Sequence, residues 1–290
     1  MRPLVLVVLA AACSNEFRLE SQQPKPEIPL ETDVVVTDEP VTDEPVTDEP
    51  DPDEPPPADK PIYANTADTL YSVNPLTGEA SLIDQFSLDG APISGFVDIA
   101  IDLTGRLIGG NKGGDGSTAG IYQIDPSTAT TRLMCETDAD MVAMTFLSDG
   151  RLVVGGTESL QYVDIDQGCA SSPLFARGAE SSFETSGDIV GHPDEILYWT
   201  VRGDDHEDDD ALARVDPSGM WGAVKVGSIK EGRTGFNRLF GLAYDEGEEA
   251  LYGFSANGQI LRIDPTTGAA VELTRLDLEW WGATTNPVVW

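Results

Sequence analysis

The sequence predicts an all-β chain: a five-bladed β-propeller over 61–290, closed by its own carboxy-terminal strand and preceded by a signal peptide and a disordered linker. Three observations predict it. One phrase recurs five times at blade-sized spacing, further strand-like segments stand in register around each copy, and the two ends of the region are halves of one unit.

The phrase reads T-L-Y-S-V-N-P-L-T-G from Thr69, G-I-Y-Q-I-D-P-S-T-A from Gly120, L-Q-Y-V-D-I-D-Q-G from Leu160, A-L-A-R-V-D-P-S-G from Ala211 and Q-I-L-R-I-D-P-T-T-G from Gln259. Its apolar–polar alternation is that of a strand, and its Asp-Pro-x-Thr-Gly ending is a turn: proline sets φ, aspartate accepts backbone amides, glycine supplies a positive φ. From Asn74 through Asp125, Asp164 and Asp216 to Asp264 the spacings are 51, 39, 52 and 48 residues, the length of a four-stranded blade.

Each later phrase is preceded by a strand of small residues and then an aliphatic strand. The pairs are F-V-D-I-A-I-D and R-L-I-G-G-N, V-A-M-T-F and R-L-V-V-G-G-T, G-D-I-V-G-H and I-L-Y-W-T-V, F-G-L-A-Y-D and A-L-Y-G-F-S. Fourth strands follow, such as E-A-S-L-I-D from Glu79 and A-V-E-L-T-R from Ala270. Small residues suit the crowded innermost strand. The first unit begins at P-I-Y-A-N-T with no innermost strand, whereas W-W-G-A-T-T-N-P over 280–287 is an innermost strand with no unit after it. The carboxy-terminal strand therefore completes the first blade and pairs edges that would otherwise invite aggregation.

Ahead of the propeller the composition changes. Residues 14–60 carry almost no aromatics, many prolines and V-T-D-E-P three times, from Val36, Val41 and Val46. Prolines remove backbone donors and clustered carboxylates repel, so this stretch reads as an extended acidic tether able to reach on the order of 100 Å. Residues 1–13, M-R-P-L-V-L-V-V-L-A-A-A-C, have one positive charge, an apolar run too short to span a bilayer as a helix, and small residues before Cys13: the layout of a cleavable export signal. These last residues resemble the lipobox of bacterial lipoproteins, although Ala10 stands where leucine is usual. The resemblance implies lipidation of Cys13, anchoring by acyl chains alone and, with Ser14 following, sorting to the outer membrane, facing the periplasm or the cell surface; secretion without lipid is the alternative.

The formal net charge of −34 divides into −12 over 14–60 and −23 over 61–290, apart from Arg2. Such an excess repels phosphate backbones and anionic head groups, which argues against nucleic-acid partners and favours cations, basic partners or plain solubility. Cys135 and Cys169 remain after Cys13. Their even number and an oxidising compartment permit a disulfide; the register, however, places Cys135 near the end of one outer strand and Cys169 near the start of the next blade's, which argues against the pairing.

Parts for chemistry are few. The only histidines are His192 and His206, and G-x-S-x-G, H-E-x-x-H and phosphate-binding loops are absent. His192, in G-H-P-D at the end of an innermost strand, reads as a turn histidine. Asp98 and Asp188 occupy matching places on the innermost strands of the second and fourth blades. Facing the channel they would bind a cation such as calcium or share a proton; tying down neighbouring backbone amides is the structural alternative. The acidic run from Asp204 to Asp210, with His206 and Glu207 inside it, lacks the spacing of a calcium loop and reads as a solvated hairpin tip, and N-K-G-G-D-G-S over 111–117 as a loop without a following helix. Trp199, Trp221, Trp280, Trp281 and Trp290 are stacking surfaces for a sugar ring or packing between blades.

The layout resembles the secreted propellers of the NHL, YVTN and quinoprotein-like groups, whose units carry a D-x-A-x-D-x-x-G-x-L-Y phrase followed by L-Y-x-I-D-P-x-T-G. The resemblance implies an architecture shared by many functions. The expected role is a monomeric, surface-tethered module binding a protein or small ligand; the competing class is a lactonase-, lyase- or quinoprotein-like enzyme.

Overall fold

The computed structural model describes residues 61–112, 118–157, 159–174, 183–202, 209–216 and 222–285. The expectations for Cys13, the tether 14–60, the loop 113–117, Asp204 to Asp208, Trp221 and Trp290 lie outside these residues.

Five blades of four antiparallel strands make the ring, four of them separate sheets and the second extended by two short strands into a six-stranded one. In blade 1 the order from the axis outward is Gly282–Thr284, Ile62–Asn65, Thr69–Val73, Ala80–Gln85. Blade 2 runs Phe96–Ile101, Leu107–Lys112, Ala119–Ile124, Thr130–Thr137, and blade 3 Ala143–Phe146, Leu152–Gly155, Leu160–Asp164, Ala170–Pro173. Blade 4 comprises Thr185–Gly191, Leu197–Arg202, Asp210–Val215, Ala223–Ser228, and blade 5 Leu239–Asp245, Ala250–Ser255, Gln259–Ile263, Ala270–Arg275. Each recurring phrase is the third strand of its blade.

The ring closes as the chain ends predict. Ala283 pairs with Ala64 and Thr284 with Tyr63, and the strand Gly282–Thr284 touches the innermost strands of both blade 5 and blade 2. Innermost strands contact one another all the way round.

The core is not one mass but five seams, one between each pair of neighbouring blades. Trp199 packs with Val153, Leu160 and Leu197 between blades 3 and 4, while Trp280 packs with Ile62, Tyr252 and Phe254 between blades 5 and 1. Both rings are almost wholly buried, so packing between blades is the role of these two tryptophans.

The turns work as their composition requires. Asp125 Oδ1 accepts from Ser127 N at 2.8 Å and Asp264 Oδ1 from Thr266 N at 2.7 Å, leaving Gly268 at φ 74° for the return.

Two short hairpins were not legible beforehand. Ser87–Leu88 with Ala91–Pro92 follows blade 1, and Lys230–Glu231 with Thr234–Gly235 follows blade 4. Each covers the next blade's outer edge: Ser87 and Leu88 run parallel to Thr130 and Thr131, and Lys230 bridges to Ala269. Covering an edge strand removes a template for pairing with other chains.

Cys135 and Cys169 form a disulfide, with Cα atoms 5.9 Å apart, that staples the outer strand of blade 2 to the start of that of blade 3. The bridge closes a loop of 34 residues, for which chain entropy gives roughly 3–4 kcal/mol. A Cys135→Ser, Cys169→Ser double variant is expected to lose most of that in urea unfolding; a loss below about 1 kcal/mol would show that strain cancels the constraint.

Candidate functional site: the channel and its two ends

In sequence the five innermost strands align residue for residue as F-V-D-I-A-I from Phe96, M-V-A-M-T-F from Met141, S-G-D-I-V-G from Ser186, L-F-G-L-A-Y from Leu239 and W-W-G-A-T-T from Trp280. At the third place stand Asp98, Ala143, Asp188, Gly241 and Gly282: two carboxyls and three residues small enough to admit them. A Cβ on Gly282 would lie 2.3 Å from Asp98 Oδ1 and 2.6 Å from Asn65 Oδ1, closer than any real Cβ approaches. Sequence places both carboxyls at the channel, and there they meet.

Asp98 and Asp188 are wholly buried and hydrogen-bonded to each other. Ile99 N–H donates to Asp98 Oδ1 at 2.7 Å, and Met144 N–H of blade 3 donates to Oδ2. Ile189 N–H donates to Asp188 Oδ1 at 2.6 Å and Leu242 N–H of blade 5 donates to Oδ2, while the Ala283 amide of blade 1 lies close enough to favour the charged form of Asp188. The pair thus touches every innermost strand.

Burial pushes both carboxyls well above the ordinary carboxylate range, and for Asp98 the charge of Asp188 adds to the rise, while the amides pull the other way. Two like charges so close cannot both ionise in a dry space, so the two carboxyls share a proton. Nearby hydroxyls continue the stapling. Gly191 N–H donates to Thr145 Oγ1 at 2.8 Å, and Thr285 Oγ1 donates to Tyr244 O.

At the second place stand Val97, Val142, Gly187, Phe240 and Trp281. Val97 and Phe240 fall at register shifts, where a bulge re-aims the side chain. Apart from Gly187 these residues are half-buried. They form a collar at one end of the channel. Phe240 and Trp281 stand 5.8 Å apart at 47°, and the Arg238 guanidinium lies 5.6 Å from the Phe240 ring centre. Trp281 is thus the one described tryptophan not consumed by core packing.

At the other end, the turns frame a cleft of about 530 Å³ between blades 2 and 3 and one of about 840 Å³ between blades 4 and 5. Arg151 lies over Tyr162 in the first, 4.3 Å from its ring centre. His192 lies in the second rather than at the channel. Its ring packs 4.5 Å from Tyr244 and 5.7 Å from Tyr198, its Nδ1 accepts from Asp194 N at 3.2 Å, and burial lowers its pKa. That is the geometry of a neutral histidine fixing a turn.

One reading is corrected. Asp210 is no solvated tip: it is 4% exposed, begins the third strand of blade 4, and accepts from Leu239 N at 2.8 Å. An acidic run conceals where a hairpin ends and a buried strand begins, because the signal that separates them is the partner amide, which lies 29 residues on.

Among the described residues no three His, Cys, Asp or Glu side chains converge as a metal site would require.

No family model matches the chain, and no curated protein does either. Among solved structures it is similar to the extracellular domain of a candidate one-component system from B. thetaiotaomicron, at 12% identity and a TM-score of 0.42, covering 76% of this chain and 30% of that one. It is also similar to a candidate 6-phosphogluconolactonase from Bacteroides fragilis NCTC 9343, at 12% identity and a TM-score of 0.44, covering 79% and 98%. The chain therefore spans under a third of the first of these proteins and nearly the whole of the second.

Proposed function

We propose that this chain is an exported lipoprotein, tethered through Cys13 and the acidic linker, whose propeller is a non-catalytic module binding a ligand or protein. The observation that carries the reading is how Asp98 and Asp188 are used. Their oxygens already accept the amides of Ile99, Met144, Ile189 and Leu242 and share a proton between them, so the channel carboxylates that a metal-dependent mechanism would recruit are spent on holding blades together. The disulfide between Cys135 and Cys169 suits the oxidising compartment that export implies.

One observation favours the competing enzyme class. Asn65 Oδ1 is buried without a hydrogen-bond partner beside Asp98 Oδ1, a neutral oxygen that calcium would accept. Calorimetric titration of calcium into the full chain separates the two. No binding, and no calcium dependence of the melting temperature, is the expected result; tight binding abolished by Asp98→Asn with Asp188→Asn would overturn it. In bacterial cells expressing the full chain, Cys13→Ala should move the protein from the membrane fraction to the soluble one. Unchanged fractionation would remove the lipid anchor from the reading.

A further inference from the structure

We propose that the collar end of the channel is a carbohydrate-binding site, in which a neutral sugar ring stacks on Phe240 and Trp281 while Asn237, Arg238, Asn257 and Glu279 hydrogen-bond its hydroxyls. The inference rests on the binding-module reading above and names its ligand class.

Three observations support it. First, Phe240 and Trp281 are the large aromatics that the collar leaves half-buried, and their inclined rings offer a V-shaped apolar surface to the C–H face of a pyranose. Second, the polar groups beside them form one connected fan. Asn257 Nδ2 donates to Asn237 Oδ1 at 3.0 Å, Arg238 Nη1 to Asn257 Oδ1 at 3.5 Å and Arg238 Nη2 to Glu279 Oε1 at 2.9 Å. Planar amide, guanidinium and carboxylate groups each present adjacent donors or acceptors, the spacing that neighbouring hydroxyls on a sugar ring require. Third, the fan is electrically neutral, Arg238 cancelling Glu279, on a chain whose net charge is −34. A surface that recruits cations would not neutralise itself here, and a neutral polyol is the complement.

The fan is also pre-set. Arg238 holds φ at 56°, a left-handed conformation that a non-glycine residue adopts at a cost, and its carbonyl accepts from Ala256 N at 2.9 Å. Asn257 N–H donates to Ser255 Oγ at 3.0 Å, fixing the other half of the fan.

The test is calorimetry and tryptophan fluorescence of the full chain with maltohexaose, cellohexaose, xylohexaose, mannohexaose and chitohexaose, each to about 10 mM, well above the millimolar limit of weak specific binding. At least one is expected to bind and to shift the tryptophan emission, a shift that Trp281→Ala should abolish. Trp281→Ala and, separately, Asn257→Ala should each weaken that binding about tenfold or more, which corresponds to roughly 1.4 kcal/mol, without moving the melting temperature. Asn257→Ala keeps the inference testable if the Trp281 variant folds poorly. Failure of all five sugars to bind, or binding indifferent to both substitutions, overturns the site. A sugar that binds and is cleaved into shorter chains leaves the site standing and overturns the non-catalytic reading instead.

Discussion

Asp98→Ala is expected to destabilise the propeller by about 3–5 kcal/mol, the loss typical of removing one partner from a buried, hydrogen-bonded pair. Three groups are orphaned at once: the amides of Ile99 and Met144, and the carboxyl of Asp188. Urea unfolding checks it, and a loss under about 1 kcal/mol would mean that the pair does not join the blades.

The pH dependence has a definite sign. Burial raises both folded-state values above the ordinary 3.8, so between that value and the raised ones the folded chain holds more protons than the unfolded chain. This pair's contribution is therefore fully present at low pH and is lost as pH rises through that window. Asp98→Asn keeps a neutral donor to Asp188 at every pH but gives up one amide acceptor. It should be less stable than the parent under mildly acidic conditions and show a flatter decline toward alkaline pH; an unchanged slope would assign the proton elsewhere.

Ending the chain before Trp280 is expected to abolish cooperative folding. Trp280 is wholly buried: it fills the seam between blades 5 and 1, with Phe254 at 5.7 Å and Tyr71 at 5.2 Å, both edge-on. Large-to-small replacement of a buried aromatic alone costs about 3–5 kcal/mol, and the truncation also removes the Ala283 amide from Asp188 and the pairing of Tyr63, Ala64 and Asn65. A synthetic peptide of residues 278–290, supplied in trans, should restore the melting transition. If the truncated chain melts like the parent without it, the closure is ornamental.

Architecture was legible in the sequence because repetition averages out local ambiguity. Five copies of one strand-and-turn phrase fixed the period, and the incomplete units at Ile62 and Gly282 located the closure. The two edge hairpins escaped because strands of two residues, such as Lys230–Glu231, have no periodicity to read. For the site, the matching places of Asp98 and Asp188 were visible, but not that their partners would be amides 46 and 54 residues away. The collar was hidden for a different reason. Val97 and Phe240 lie in bulges, where alternation, the signal used to assign faces, is broken.

The acid pair has a consequence for arithmetic. Packing between blades is local, each seam setting only the angle between its two neighbours. Asp98 and Asp188 act across the whole circle. They lie two blades apart and reach the amides of the other three blades, a distribution that exists only in a ring of five: with one unit deleted between them they would sit side by side, and with one inserted they would face across a wider bore. A single shared proton thereby serves as the molecule's count of itself.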